Sequence, residues 1–219
     1  IMAVFLLVRH GQNEYVSKGR LAGRLPGVHL DDKGKSQAEA LAEKLKNAPV
    51  KAVYSSPIDR TMETAQPIAD ALGLEVITRE GLLEIDFGTW QDKTLKQLRH
   101  RKLWKVVQGK PSMMEFPEGE TFANAQSRVV KELITLSGKH KKDDLVVCVS
   151  HSDVIKLATA YFLGLPIDLF QRLTISTASI TSIFIADHSA RVFNINYSLN
   201  FELPQPGKTK DKKVKKGKS

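Results

Sequence analysis

Arg9 and His10 stand side by side at the end of an apolar run, "FLLVRHG" at residues 5–11, and the same punctuation recurs twice more along the chain. "AVYSSPID" at 52–59 runs into Arg60, and "LVVCVS" at 145–150 ends at His151-Ser152-Asp153. A guanidinium presents a planar fork that matches phosphate oxygens and stays charged at any working pH, so two of them argue for a phosphoryl group over a neutral ligand. A histidine among such cations has its pKa depressed and keeps a neutral ring with a free lone pair. Covalent catalysis through a phosphohistidine follows as the chemistry these residue types suit.

Two rival chemistries fit less well. Flanking arginines would repel a divalent cation, and neither an H-E-x-x-H pattern nor a cysteine ligand set is present, so no metal and no other cofactor is predicted. "GKS" at 34–36 has its preceding glycine at Gly27, the wrong spacing for a phosphate-cradling loop, and follows a polar stretch where such a loop follows a strand. The other histidines, His29, His100, His140 and His188, lie in polar segments and read as solvated.

For the two arginines and two histidines to meet, each apolar run must be a parallel strand with its carboxyl end on one sheet edge, where ligands bind in open α/β sheets. The patterning supports this. Strands are predicted at 2–8, 51–56, 74–78 and 144–150, and helices at 34–48, 60–73, near 92–108, at 120–138 and at 152–163. Pro67 could kink the second helix and Gly73 end it. Alternating runs at 181–187 and 190–198, joined at His188 and Ser189, predict an antiparallel hairpin at one sheet edge. The expected fold is a three-layer α/β/α sandwich around a mostly parallel sheet.

The chain has 219 residues, 42% hydrophobic and 26% charged, an ordinary globular balance with room for one sizeable core. Residues 1–203 are predicted as a single catalytic domain, and 204–219 as a disordered Lys-rich tail beginning at Pro204, Pro206 and Gly207. That tail explains most of the net charge of +9, because "KTKDKKVKKGKS" holds seven lysines and one aspartate. The charge therefore predicts no specific nucleic-acid partner; a solubilising tail is the preferred reading over loose attraction to polyanions. "IMAVFLLV" at the start lacks a basic leader and a small-residue cleavage site and reads as a first strand. No run approaches a membrane span. Cys148 is the single cysteine, which precludes an internal disulfide and fits a cytoplasmic location; it reads as a small core residue.

"LVRHG" at 7–11, "SSPIDRTMETA" at 55–65, "LLEIDFGTWQ" at 82–91, "FPEGETF" at 116–122 and "VVCVSH" at 146–151 stand in the order and approximate spacing of the histidine phosphatase superfamily, the group that includes cofactor-dependent phosphoglycerate mutase. The resemblance spans roughly residues 2–200. It implies that His10 is the phosphorylated nucleophile, that Arg9, Arg60 and His151 form the phosphate pocket, and that Glu84 is the proton donor. Spacing alone would not have singled out Glu84, since "GLLEIDFGTW" reads equally as an acidic loop; Asp86 is then a surface or loop-capping residue. A carboxyl near a bound phosphate dianion has its pKa raised toward the acid form, which suits that role.

The chain departs from the family pattern at two places. After Arg-His-Gly it has Gln12, Asn13, Glu14, Tyr15 and Val16, where Asn13 could donate to phosphate and Val16 cannot. After His151 it has Ser152-Asp153 in place of a frequent glycine pair, and Asp153 would repel a phosphate unless it points away. The segment "EIDFGTWQ" replaces a tyrosine- and leucine-containing mutase segment, and only about thirty residues, 93–122, are available to cover the site, so hydrolysis is favoured over transfer. That cover contains Leu103, Trp104, Met113, Met114 and Phe116, either an apolar wall for a leaving group or core packing. The predicted activity is a metal-independent phosphomonoesterase acting on a small phosphorylated metabolite. A phosphoglycerate-type mutase and a phospho-ligand binding module without turnover are the alternatives.

Overall fold

Six strands and seven α-helices follow one another in the computed structural model, which describes residues 2–199. They are β1 (Met2–Arg9), α1 (Glu14–Ser17), α2 (Asp32–Leu45), β2 (Val50–Ser55), α3 (Asp59–Leu72), β3 (Val76–Thr78), α4 (Leu95–Leu98), α5 (Trp104–Gly109), α6 (Phe122–Ser137), β4 (Asp144–Ser150), α7 (Ser152–Leu163), β5 (Ile180–Ala186) and β6 (Ala190–Tyr197). The predicted tail at 204–219 lies outside the described residues.

One sheet runs in the order β3-β2-β4-β1-β5-β6. The first four strands of that order are mutually parallel, while β5 runs antiparallel to β1 and β6 antiparallel to β5, so the predicted hairpin does close one edge. Strand alternation divides the apolar side chains between two faces. Phe5, Leu7, Val146, Cys148 and Ile183 pack with α6 and α7 on one side. Val8, Val53, Val147 and Val149 pack with Leu41, Leu45, Ala65 and Ile68 of α2 and α3 on the other. This is the expected three-layer sandwich. Cys148 is fully buried, and burial pushes its thiol pKa far up, as a core residue requires.

The order also answers how three distant runs share one edge. β4 lies between β1 and β2, with Arg9 level with Ser150 and Ser55 level with Val149. The residues that follow each strand, His10, His151 and Ser56, therefore emerge side by side.

Some elements differ from their prediction for local reasons. The segment expected as one helix near 92–108 is two short helices, α4 and α5, separated by a turn at Arg99–Leu103. Its cations repel one another at helical spacing, Arg101 with Lys105 for example, and no acid interrupts them. The strand expected at 74–78 starts only at Val76, because the Leu74 N–H is used to cap α3 by donating to the Ala69 carbonyl at 2.9 Å. Gly73 ends α3 in the left-handed region at φ 65°, as its position predicts, and the helix continues through Pro67. His140 is a correction: its side chain is packed, with Nε2 3.1 Å from the Tyr54 hydroxyl and Nδ1 3.6 Å from Asp144.

Candidate active site

The strand-end residues converge on a cavity of about 250 Å³. His10 is buried, and its Nδ1 lies 2.7 Å from the Gly11 carbonyl oxygen. A carbonyl only accepts, so Nδ1 carries the proton and the lone pair is left on Nε2. The backbone holds this ring in place: the Gly11 N–H donates to Thr64 Oγ1 at 3.0 Å, and the His10 N–H to the Ser150 carbonyl at 3.0 Å. Gly11 is required here because a Cβ would come within 2.6 Å of the Gly34 carbonyl oxygen at the start of α2. The His10 pKa lies well below the usual histidine value. Burial is the larger cause and the Arg60 and Arg9 charges expected from sequence come second.

Arg9 ends β1 and donates from Nη1 to the Ile175 carbonyl at 2.7 Å. Arg60 sits in the first turn of α3, where its Nη2 donates to the Gly23 carbonyl at 2.7 Å and to His151 Nδ1 at 3.2 Å. Since His151 Nδ1 accepts, its Nε2–H donates to Ser56 Oγ at 2.9 Å. Burial, with Arg60, His10 and Arg9 behind it, keeps His151 neutral by lowering its pKa. The two imidazole centroids are 5.4 Å apart. Asn13 is 1% exposed and caps α1 by accepting from the Val16 N–H at 2.9 Å.

Three buried donor atoms from these residues have no hydrogen-bond partner: Arg9 Nε, Asn13 Nδ2 and Arg60 Nη1. Leaving such groups dry costs about 1–3 kcal/mol each, more for a charged one, so they are most simply read as the empty half of an anion site. All three residues line the cavity together with His10.

Glu84 faces the same cavity from the loop after β3. Its Oε1 accepts from the Ile85 N–H at 2.9 Å and its Oε2 lies 3.8 Å from His151 Nδ1. Its pKa is raised to about 7 even without a bound phosphate, by burial first and the Asp153 charge second. Asp86 caps its own loop by accepting from the Gly88 N–H at 2.9 Å, as expected.

Two points about the cavity wall were left open by the sequence. Asp153 lines the cavity, as does Val16. Leu103, Trp104, Met113, Met114 and Phe116 do not line it. Met114 and Phe116 are core residues, Trp104 stacks on the buried Trp90, and Met113 is 72% exposed. The apolar wall comes instead from Tyr15, Val16, Leu21, Phe87 and Leu95.

Sequence reasoning also missed the supports of Glu84. Arg24 Nε donates to the Glu84 carbonyl at 2.8 Å, and its Nη2 donates to Glu120 Oε1 at 3.0 Å. The same Glu120 oxygen accepts from Arg128 Nη2 at 2.8 Å and from the Asp86 N–H at 3.0 Å. Glu120 stands in the "FPEGETF" segment, so its motif was a signal. Arg24 and Arg128 carried none, as each stands outside the motif segments.

A neutral histidine, flanked by arginines with unpaired donors and faced by a protonatable carboxyl, is an arrangement suited to phosphoryl transfer at the carboxyl edge of an α/β sheet. The sequence matches the histidine phosphatase superfamily (branch 1) over residues 5–198, and the chain belongs to that family. It is 34% identical to the 2,3-bisphosphoglycerate-dependent phosphoglycerate mutase of Thermoplasma acidophilum over 182 residues, covering 83% of this chain and 87% of that one. It is 30% identical to phosphoserine phosphatase 1 of Hydrogenobacter thermophilus over 197 residues, covering 89% and 92%. Among solved structures, the mycobacterial glucosyl-3-phosphoglycerate phosphatase complexed with VO3 superimposes with a TM-score of 0.81 at 26% identity, over 89% of this chain and 99% of that one. The Entamoeba histolytica phosphoserine phosphatase in complex with 3-phosphoglyceric acid gives 0.79 at 27% identity, over 90% and 98%.

Proposed function

We propose that this chain is a metal-independent phosphomonoesterase that hydrolyses a small phosphorylated metabolite through a phosphohistidine on His10. The carrying observation is the buried His10 Nε2 lone pair set beside three buried donors without partners. Arg9, Arg60 and Asn13 bind the phosphoryl oxygens with those donors, and the two guanidinium charges stabilise the transferring group. His10 Nε2 attacks phosphorus, and the bond to the ester oxygen breaks as the N–P bond forms. Glu84 gives its proton to the departing alkoxide. Water then attacks the phosphohistidine, Glu84 takes a proton from it, and the N–P bond breaks to release inorganic phosphate. His151 keeps its Nδ1 toward Arg60 and fixes that side of the pocket.

Hydrolysis over transfer is supported by the packing of residues 113–122. Met114, Phe116 and Phe122 are spent on the core, so this segment does not build a wall over the site. The identity to a mutase favours phosphoryl transfer to a second substrate as the other reading. Metal independence is supported by the arginines, and among the described residues no group of three or more His, Cys, Asp or Glu side chains could hold a metal ion. A cytoplasmic enzyme that needs neither a membrane nor nucleic acid fits the free Cys148 and the described helices, none of which is long and apolar enough to cross a membrane.

The test is a panel of phosphate esters assayed with EDTA present, with a parallel quench in alkali and in acid. The expected result is inorganic phosphate as the product, an alkali-stable and acid-labile label on His10, and loss of label and turnover in His10→Ala. Phosphate passed to an added alcohol acceptor in place of water would establish the mutase reading. Binding of phosphate without turnover would establish a binding module, and recovery by zinc or magnesium after inactivation by EDTA would overturn metal independence.

A further inference from the structure

Asp153 occupies the second position of α7, directly after His151 and Ser152, and is among the residues that line the cavity. A carboxylate on such a wall repels a phosphate dianion, so its presence calls for a compensating use. Structure alone does not supply one. Asp153 makes no cap hydrogen bond for α7, and its favourable interaction with the helix dipole would be available to an acid facing solvent. Only its Oδ1 is engaged, accepting from Lys156 Nζ at 3.1 Å; Oδ2 accepts no hydrogen bond among the described residues. Lys156 does not line the cavity.

The position of this charge matters more than its existence. It is the largest single charge acting on Glu84, and it also acts on Arg9. Asp153 lines the same cavity as Glu84 and Phe87, within reach of the organic part of an ester whose phosphate sits on Arg9 and Arg60. Among the described residues the cavity offers no further free cation. In the proposed reaction Arg9 and Arg60 are used by the phosphoryl group, and Arg20 is held by Asp92, with Nη2 2.5 Å from Oδ1 and 3.0 Å from the carbonyl oxygen. Arg20 also covers the Tyr15 ring at 5.0 Å. Beyond the phosphate, the wall is thus a short apolar stretch of Val16, Leu21, Phe87 and Leu95 with one half-engaged carboxylate.

Resting on the phosphomonoesterase reading above, we propose that Asp153 is a specificity-determining residue that selects phosphomonoesters whose organic part carries a cationic amine and discriminates against those carrying only a carboxylate. An ammonium one or two carbons from the ester oxygen would reach Oδ2 while the phosphate stays on Arg9 and Arg60, and the carbon chain would lie on the apolar wall.

The experiment compares kcat/KM for O-phosphoethanolamine, n-propyl phosphate and 3-phosphoglycerate, with p-nitrophenyl phosphate as a reference, in the intact protein, Asp153→Asn and Asp153→Glu. Taking ratios between alkyl esters cancels what Asp153 does to the shared phosphoryl group. The expected order in the intact protein is amine above neutral above carboxylate. Asp153→Asn should lower the amine-to-carboxylate ratio about tenfold or more, the worth of one partly screened charge pair, and Asp153→Glu should keep the order. A ratio unchanged in Asp153→Asn, or an intact protein that prefers the carboxylate ester, overturns this inference alone provided p-nitrophenyl phosphate is turned over. No turnover of any of the four esters would overturn the phosphomonoesterase reading and this inference with it.

Discussion

Glu84 shows how much of a proposed catalytic role is set by surroundings that a sequence does not display. Its pKa of about 7 comes from burial and from Asp153, both products of folding. Two consequences follow at the level of this one residue. As pH rises through 7 the acid is lost, so kcat/KM on an alkyl phosphate should fall there, while an aryl phosphate with an activated leaving group should fall much less. Glu84→Gln should lose about 10²–10⁴-fold on the alkyl ester and far less on the aryl one, and Asp86→Asn should show no such contrast; equal losses on both esters in Glu84→Gln would remove Glu84 from the role. The same shift has a stability sign. The folded state binds more protons than the unfolded one between the ordinary carboxyl value and 7, so Glu84 favours folding less as pH rises across that window. Melting temperature against pH should be flatter over that range in Glu84→Gln. Arg9, His10, Arg60 and His151 were legible from residue type and strand-end position alone. Glu84 needed the family resemblance, and Arg24 and Arg128 were illegible because their partners, backbone carbonyl oxygens and the distant Glu120, are brought to them only by folding.

At the level of elements, the strands were the most legible because both faces are buried and their apolar runs are unbroken, as in β1 and β4. The helix boundaries were less so, since caps such as Asp31 before α2 and the Gly73–Leu74 turn after α3 depend on single hydrogen bonds. One contact between elements governs the site. Gly34 in α2 lies against the loop after β1 so closely that a Cβ would overlap the Gln12 carbonyl oxygen, and Gly11 meets Gly34 from the other side. Gly34→Ala should therefore push the Arg9-His10-Gly11 turn away from α2, destabilising the protein by about 1–3 kcal/mol and lowering kcat/KM for every ester by about tenfold or more. Gly109, where a Cβ would meet nothing within 4 Å, is the control. Gly109→Ala should leave turnover unchanged and stabilise by about 0.4–1 kcal/mol. Chemical denaturation and steady-state kinetics of the two variants check both statements.

Over the whole molecule, charge and chemistry are separated along the chain. The described residues carry the cavity, and most of the excess positive charge belongs to residues 208–219. Exposed charges are screened within about 10 Å at 0.1 M salt. Deleting residues 208–219 should therefore leave melting temperature and kcat/KM for p-nitrophenyl phosphate nearly unchanged at that ionic strength, and a large loss of turnover would mean that this segment reaches the cavity. The sheet order, with β4 inserted between β1 and β2, is the global fact on which the site depends, and sequence patterning suggested the gathering of strand ends without fixing which strand lay in the middle. The three unpaired donors of Arg9, Asn13 and Arg60 have a last consequence. In the proposed reaction they address phosphoryl oxygens, which substrate and released inorganic phosphate share, so they would not distinguish the beginning of the reaction from its end. The product should then compete for the seat the next substrate needs, tying the rate at which this protein works to the free phosphate around it.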